Sequence, residues 1–197
     1  MRSCIEGRIN SLVRAVAFAS WITGLLLFLM INSAAATTQD EIQLSLQVKT
    51  AFIYRFTNWV TWPAPKQGNP KENNFFLITI VGESPLSPYL SQLASNRRIQ
   101  KRPVQINSVH SSALPSQRPD ILVIGNVHPK NLDKILDFTR VLPILVIADH
   151  QGFAKEGVMI NFYIENGKVR FEINKSAVER SGIQISSQLL KLARIIE

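Results

Sequence analysis

Three histidines stand just beyond apolar runs: His110 after Val104 to Val109, His128 after Ile121 to Gly125, and His150 after Pro143 to Ala148. Imidazoles in such places suit acid–base work or metal ligation, and strand ends along one sheet edge can converge. Asp149-His150 is the pair to examine, because it leaves a central strand where open α/β sheets bind ligands. Gly82-Glu83-Ser84 follows another apolar run, but no phosphate-loop, dinucleotide or hydrolase-elbow pattern surrounds it. Gly82, Gly125, Asp149 and His150 therefore outline a candidate ligand crevice without naming a reaction. The only cysteine is Cys4, so thiolate chemistry and Cys-ligated metal are excluded once the N-terminal segment is removed. These residues name no reaction, no cofactor and no metal site.

That N-terminal segment has the layout of a secretory signal. Arg2, Arg8 and Arg14 precede the apolar run Ala15 to Ile31, and Ala34-Ala35-Ala36 supplies small residues for cleavage. We expect residues 1–36 to be a cleaved signal peptide, residues 37–197 a single domain, and the product periplasmic. Removing three Arg and one Glu leaves 19 basic and 13 acidic side chains, a net charge of +6. Export and the lack of interleaved basic and aromatic residues argue against nucleic acid. Arg97-Arg98 with Lys101-Arg102 reads as a solvated turn.

Positioning falls to an alternation of elements. Thr38 to Glu41 fits a capping box, followed by a helical stripe of Leu44, Val48, Ala51, Phe52, Phe56 and Trp59 that Trp62-Pro63 ends. Trp59 and Trp62 read as anchors of the helix end, and Pro63 to Asn74 as a polar loop. Strands are expected at Phe75 to Val81, Val104 to Val109, Ile121 to Gly125 and Pro143 to Ala148, with helices at Leu86 to Leu93 and Asn131 to Arg140. Ser186 to Ile196 reads as a closing helix with Leu189, Leu192, Ala193 and Ile196 on one side. Between them lies a hairpin turning at Asn166-Gly167, the dipeptide that best tolerates positive φ at both central positions. Its register sets Ile160 against Ile173, Phe162 against Phe171 and Ile164 against Val169. Tyr163 and Arg170, and Asn161 and Glu172, pair on the other face. A short helix capped by Asn174 or Ser176 and ended by Gly182 follows. The fold class is α/β: a three-layer sandwich, its central sheet mainly parallel and flanked by helices, plus the antiparallel hairpin near the C-terminus.

Ala51-Phe52-Ile53-Tyr54-Arg55-Phe56 with Trp59 and Trp62-Pro63, Gly152-Phe153-Ala154, Gly157 to Phe162, Gly167 to Asn174 and Gly182 to Ala193 together resemble the YfiR-like periplasmic proteins. The resemblance implies a periplasmic α/β regulator, not an enzyme, that tends to form a homodimer. It implies restraint of an inner-membrane diguanylate cyclase or sensor through its periplasmic region, which keeps cyclic di-GMP and biofilm formation low. It also implies sequestration by an outer-membrane lipoprotein. The cysteines that form disulfides in the type member are absent here. For such a binding module we expect an apolar patch of Ile173, Val178, Ile183, Ile185 and Leu189, rimmed by Glu172 and Arg180. At least two of the five must be exposed for that patch to exist. The alternatives are a periplasmic small-molecule sensor module using the crevice, and an exported hydrolase working through His and Asp.

Overall fold

The protein is described from a computed structural model that covers residues 39–63 and 74–197. The expected signal peptide, its cleavage site, Thr38 of the capping box and most of the Pro63 to Asn74 loop lie outside these residues. Two compact units divide between Leu44 and Ser45. Of the first, residues 39–44 are helical.

The second unit opens with helix α1, residues 45–56. The chain continues through β1 (Val60–Thr61), β2 (Phe76–Val81), α2 (Ser87–Asn96), β3 (Arg98–Ile99), β4 (Arg102–Val109) and β5 (Ile121–Ile124). Then come α3 (Pro129–Thr139), β6 (Leu145–Ala148), α4 (Phe153–Glu156), β7 (Ile160–Glu165) and β8 (Lys168–Asn174). The last elements are α5 (Lys175–Ser181), β9 (Gln184–Ile185), α6 (Ser187–Leu192) and β10 (Arg194–Ile196). Eight strands form one mixed sheet in the order β10-β8-β7-β6-β5-β2-β4-β3, and β1 pairs with β9 in a separate two-stranded ribbon. Within the large sheet β7 runs antiparallel to β8 and β3 to β4, and the other pairings are parallel. Every residue of β2, β5 and β6 is buried, which requires cover on both faces and explains their unbroken apolar runs.

The β7–β8 hairpin has the register expected from its turn: Ile160 faces Ile173, Phe162 faces Phe171 and Ile164 faces Val169. Asn166 and Gly167 take φ of 52° and 70°. Phe162 and Phe171 meet Phe52 and Phe56 of α1 with ring centroids 5.0–6.3 Å apart. Burying an aromatic ring in this way stabilises by roughly 1.5–3 kcal/mol each. The buried side of α1 is Lys49, Thr50, Ile53, Phe56 and, beyond its end, Thr57 and Val60, whereas Ala51 and Leu44 are exposed. The expected stripe is thus rotated toward Ile53, because two polar residues, Lys49 and Thr50, are carried inward. Trp62 does anchor the chain after the helix: its indole donates to the Asp120 carbonyl at 3.2 Å and its ring meets Phe76 edge-on.

One expectation is corrected at the end of the chain's last helix. The closing helix stops at Leu192, and Arg194–Ile196 instead pairs parallel with Glu172 to Asn174. Two isoleucines suit a strand beside β8, and sheet pairing outweighs the helical spacing of Leu192 and Ile196. The Arg97–Arg102 cluster is the turn expected: a tight β3–β4 hairpin with Gln100 and Lys101 at φ of 50° and 66° and with Arg97, Arg98 and Lys101 exposed.

Candidate functional site

At the strand ends the loops that carry the two crevice glycines approach each other closely. Gly82 follows β2 and Gly125 follows β5; Glu83 and Asn126 bridge between them, and the Asn126 N–H donates to the Glu83 carbonyl at 2.7 Å. A Cβ on either glycine would collide with the main chain opposite, on Asn126 or Glu83. Glycine is required here for the close approach of the two loops.

Asp149 and His150 lie beside those loops but are engaged in holding elements together. The Asp149 carboxylate accepts from Lys49 Nζ at 2.6 Å, and the Lys49 side chain is 8% exposed. This pins α1 to the end of β6, and pairing offsets the cost of placing an ammonium out of water. The His150 N–H donates to Asn161 Oδ1 at 3.2 Å, and Asn161 Nδ2 donates to Glu172 Oε1 at 3.1 Å. The His150 ring stacks on Phe153 with centroids 4.9 Å apart, and its Nδ1 is buried with no hydrogen-bond partner among the described residues. Asn161, placed by alternation on the hairpin's wetter face, is in fact 1% exposed, because the end of β6 and His150 fold over it. The other histidines act locally. His128 Nδ1 accepts from the Lys130 N–H at the start of α3, and His110 Nδ1 lies 2.9 Å from Ser112 Oγ. Among the described residues no group of three His, Cys, Asp or Glu could hold a metal.

The C-terminal set separates into core and surface. Ile173, Val178, Ile183 and Leu189 are buried, Ile185 and Glu172 are half-buried, and Arg180 is exposed. The five apolar residues therefore do not make a surface patch, which is a correction: they close the core beneath α5, β9 and α6. Asn174 Oδ1 accepts from the Ala177 N–H to start α5, while its Nδ2 donates to the Ala154 carbonyl and ties α4 to β8. Ser186 caps α6, and its N–H donates to the Trp59 carbonyl, so the C-terminal segment is fastened to the chain that follows α1.

A family model described as YfiR/HmsC-like matches residues 46–194. The chain belongs to the YfiR/HmsC-like family. The matched span runs from α1 to the first residue of β10 and takes in the strand-end glycines, the Lys49–Asp149 pair, the hairpin and the whole C-terminal set.

Within this YfiR/HmsC-like domain some large apolar side chains are accessible at the hairpin tip and near the C-terminus, others at Leu114 and Val141. Ile164, Leu192 and Ile195 are 53%, 58% and 41% exposed. Ile164 shares the core face of the hairpin, but it stands at the tip, past the reach of Phe52 and Phe56. Beside them the β7–β8–β10 face is polar and ordered: Arg194 lies over the Tyr163 ring at 4.2 Å and pairs with Glu165 at 2.8 Å. Alternation locates such a face; it does not say where the helix covering the other face ends.

Proposed function

We propose that this protein is an exported periplasmic regulator that binds and restrains an inner-membrane signalling protein of the diguanylate cyclase type, and so lowers cyclic di-GMP signalling. The observation that carries the reading is family membership across nearly all of the compact unit. The geometry supports it: the Asp149 carboxylate is paired with Lys49 and not with the His150 ring, so the two do not form a hydrolase-type acid–base couple. Among the described residues no helix is long and apolar enough to cross a membrane, which fits a partner that supplies the membrane anchor.

In this reading Glu172, Arg180 and Ile185 are the contact residues retained from the C-terminal set. Ile173, Val178, Ile183 and Leu189 hold the segment that displays them. Sequestration by an outer-membrane lipoprotein and homodimerisation are parts of the same proposal. Co-isolation of the tagged protein with solubilised inner-membrane proteins of its host tests it. Recovery of a cyclase or sensor, lost in a folded Arg180→Glu variant, is the expected result; no membrane signalling protein in the eluate counts against the proposal.

A further inference from the structure

Helices α1 and α2 line the two sides of a groove of about 520 Å³. Where two helices meet, the stripe at spacings of three and four is ordinarily apolar. Here the groove-facing positions include Tyr54 and Asn58 on one side and Tyr89 and Asn96 on the other, with Arg55 and Arg97 beside them. No Asp or Glu lines the groove. Neither arginine forms an ion pair among the described residues, and Arg97 is held over the Tyr54 ring at 5.8 Å. The smaller groove beside Arg140, Glu156 and Arg180 mixes both signs of charge and favours no ligand class.

Each part of this lining suits one part of a ligand. The Asn58 amide can both donate and accept, as paired hydroxyls require, and Asn96, whose Nδ2 donates to the Gln92 carbonyl at 3.0 Å, can still accept. Tyrosine rings offer flat apolar faces with a polar tip. A guanidinium takes a carboxylate or phosphate through two parallel N–H groups. Both arginines lie at helix C-terminal ends, where a cation is favourable without any ligand. Charge alone therefore does not choose the occupant; the amides and rings do. We infer that the α1–α2 groove is a binding site for a small anionic saccharide, a sugar acid or sugar phosphate. Its hydroxyls meet the amides, its ring face meets Tyr89, and its anionic group meets Arg55 and Arg97. This site stands independently of any membrane partner.

Calorimetric titration of the protein expressed from its full chain tests this, with glucuronate and glucose 6-phosphate as probes and glucose and inorganic phosphate as controls. The expected result is saturable binding of at least one anionic sugar, about tenfold or more tighter than either control. The better of the two identifies a carboxylate or a phosphate as the group recognised. Arg55→Gln and Arg97→Gln should each weaken binding about tenfold, and Asn58→Ala or Asn96→Ala should weaken it by a smaller factor. All four positions are exposed, so thermal unfolding should shift only slightly and confirm that each variant folds. Inorganic phosphate binding as tightly as glucose 6-phosphate would reduce the groove to a simple anion site and overturn the inference. So would absence of binding by both sugars, or binding that none of the four substitutions weakens.

Discussion

The β7–β8 and β3–β4 hairpins turn through the same two-residue geometry, with φ of 52° and 70° at Asn166 and Gly167 and of 50° and 66° at Gln100 and Lys101. In the first, the residues are those that adopt positive φ at little cost. In the second, two ordinary L-residues are held there, at a cost of roughly 1–2 kcal/mol each. What holds the second lies elsewhere in the chain. Ile99 is buried, and Arg102 is fixed by Asp120 at 2.8 Å, by the Phe75 carbonyl at 3.3 Å and by the Phe76 ring at 5.0 Å. One hairpin is specified by its own turn and the other by its tertiary contacts. Only the first kind can be read from a local stretch of sequence.

Substitutions that separate the two cases follow in order of size. Phe162→Ala removes the ring that meets Phe52 and Phe56, and should lower global stability by about 3–5 kcal/mol, seen as a shift in the denaturation midpoint. A loss under about 1 kcal/mol would mean that the hairpin does not rest on α1. Asp120→Ala strips the pin from the second hairpin, leaving Arg102 without its carboxylate and the buried Leu77 N–H without its acceptor at 2.7 Å. It should cost about 2–3 kcal/mol. Amide exchange should rise at Ile99 and Arg102 while the protection of Phe162 and Phe171 falls only with global stability.

Gly167→Ala places a side chain at positive φ and should cost about 1 kcal/mol. Lys101→Gly runs the other way, relieving strain in the second turn, and should raise stability by about 0.5–1 kcal/mol. If Lys101→Gly destabilises, the turn is not strained and the contrast between the hairpins fails. Equilibrium urea unfolding of the two variants side by side reads both signs.

The same division explains what was legible. The hairpin register, the buried strands β2, β5 and β6, and the caps at Asn174 and Gly182 rest on local pattern, and the fold has them in place. The rotation of α1 toward Ile53 was not legible, because Lys49 is drawn inward by Asp149 from a strand end 100 residues away. β10 was not legible for a related reason: Leu189, Leu192 and Ile196 satisfy a helical spacing, and only the presence of β8 makes Arg194–Ile196 a strand. For the C-terminal set, apolar periodicity does not distinguish a core from an interface. Ile173, Val178, Ile183 and Leu189 proved to be core, while Leu192 and Ile195 of the same segment are exposed. The α1–α2 groove left no signal in either helix alone, since polar residues facing a cleft look like polar residues facing water.

The most direct test of the regulator proposal is the cyclic di-GMP content of the host with and without this gene. The account predicts that deletion raises it, that the wild-type gene restores it, and that an Arg180→Glu gene whose product accumulates normally does not. Unchanged cyclic di-GMP on deletion, measured where the protein is expressed, would contradict the account.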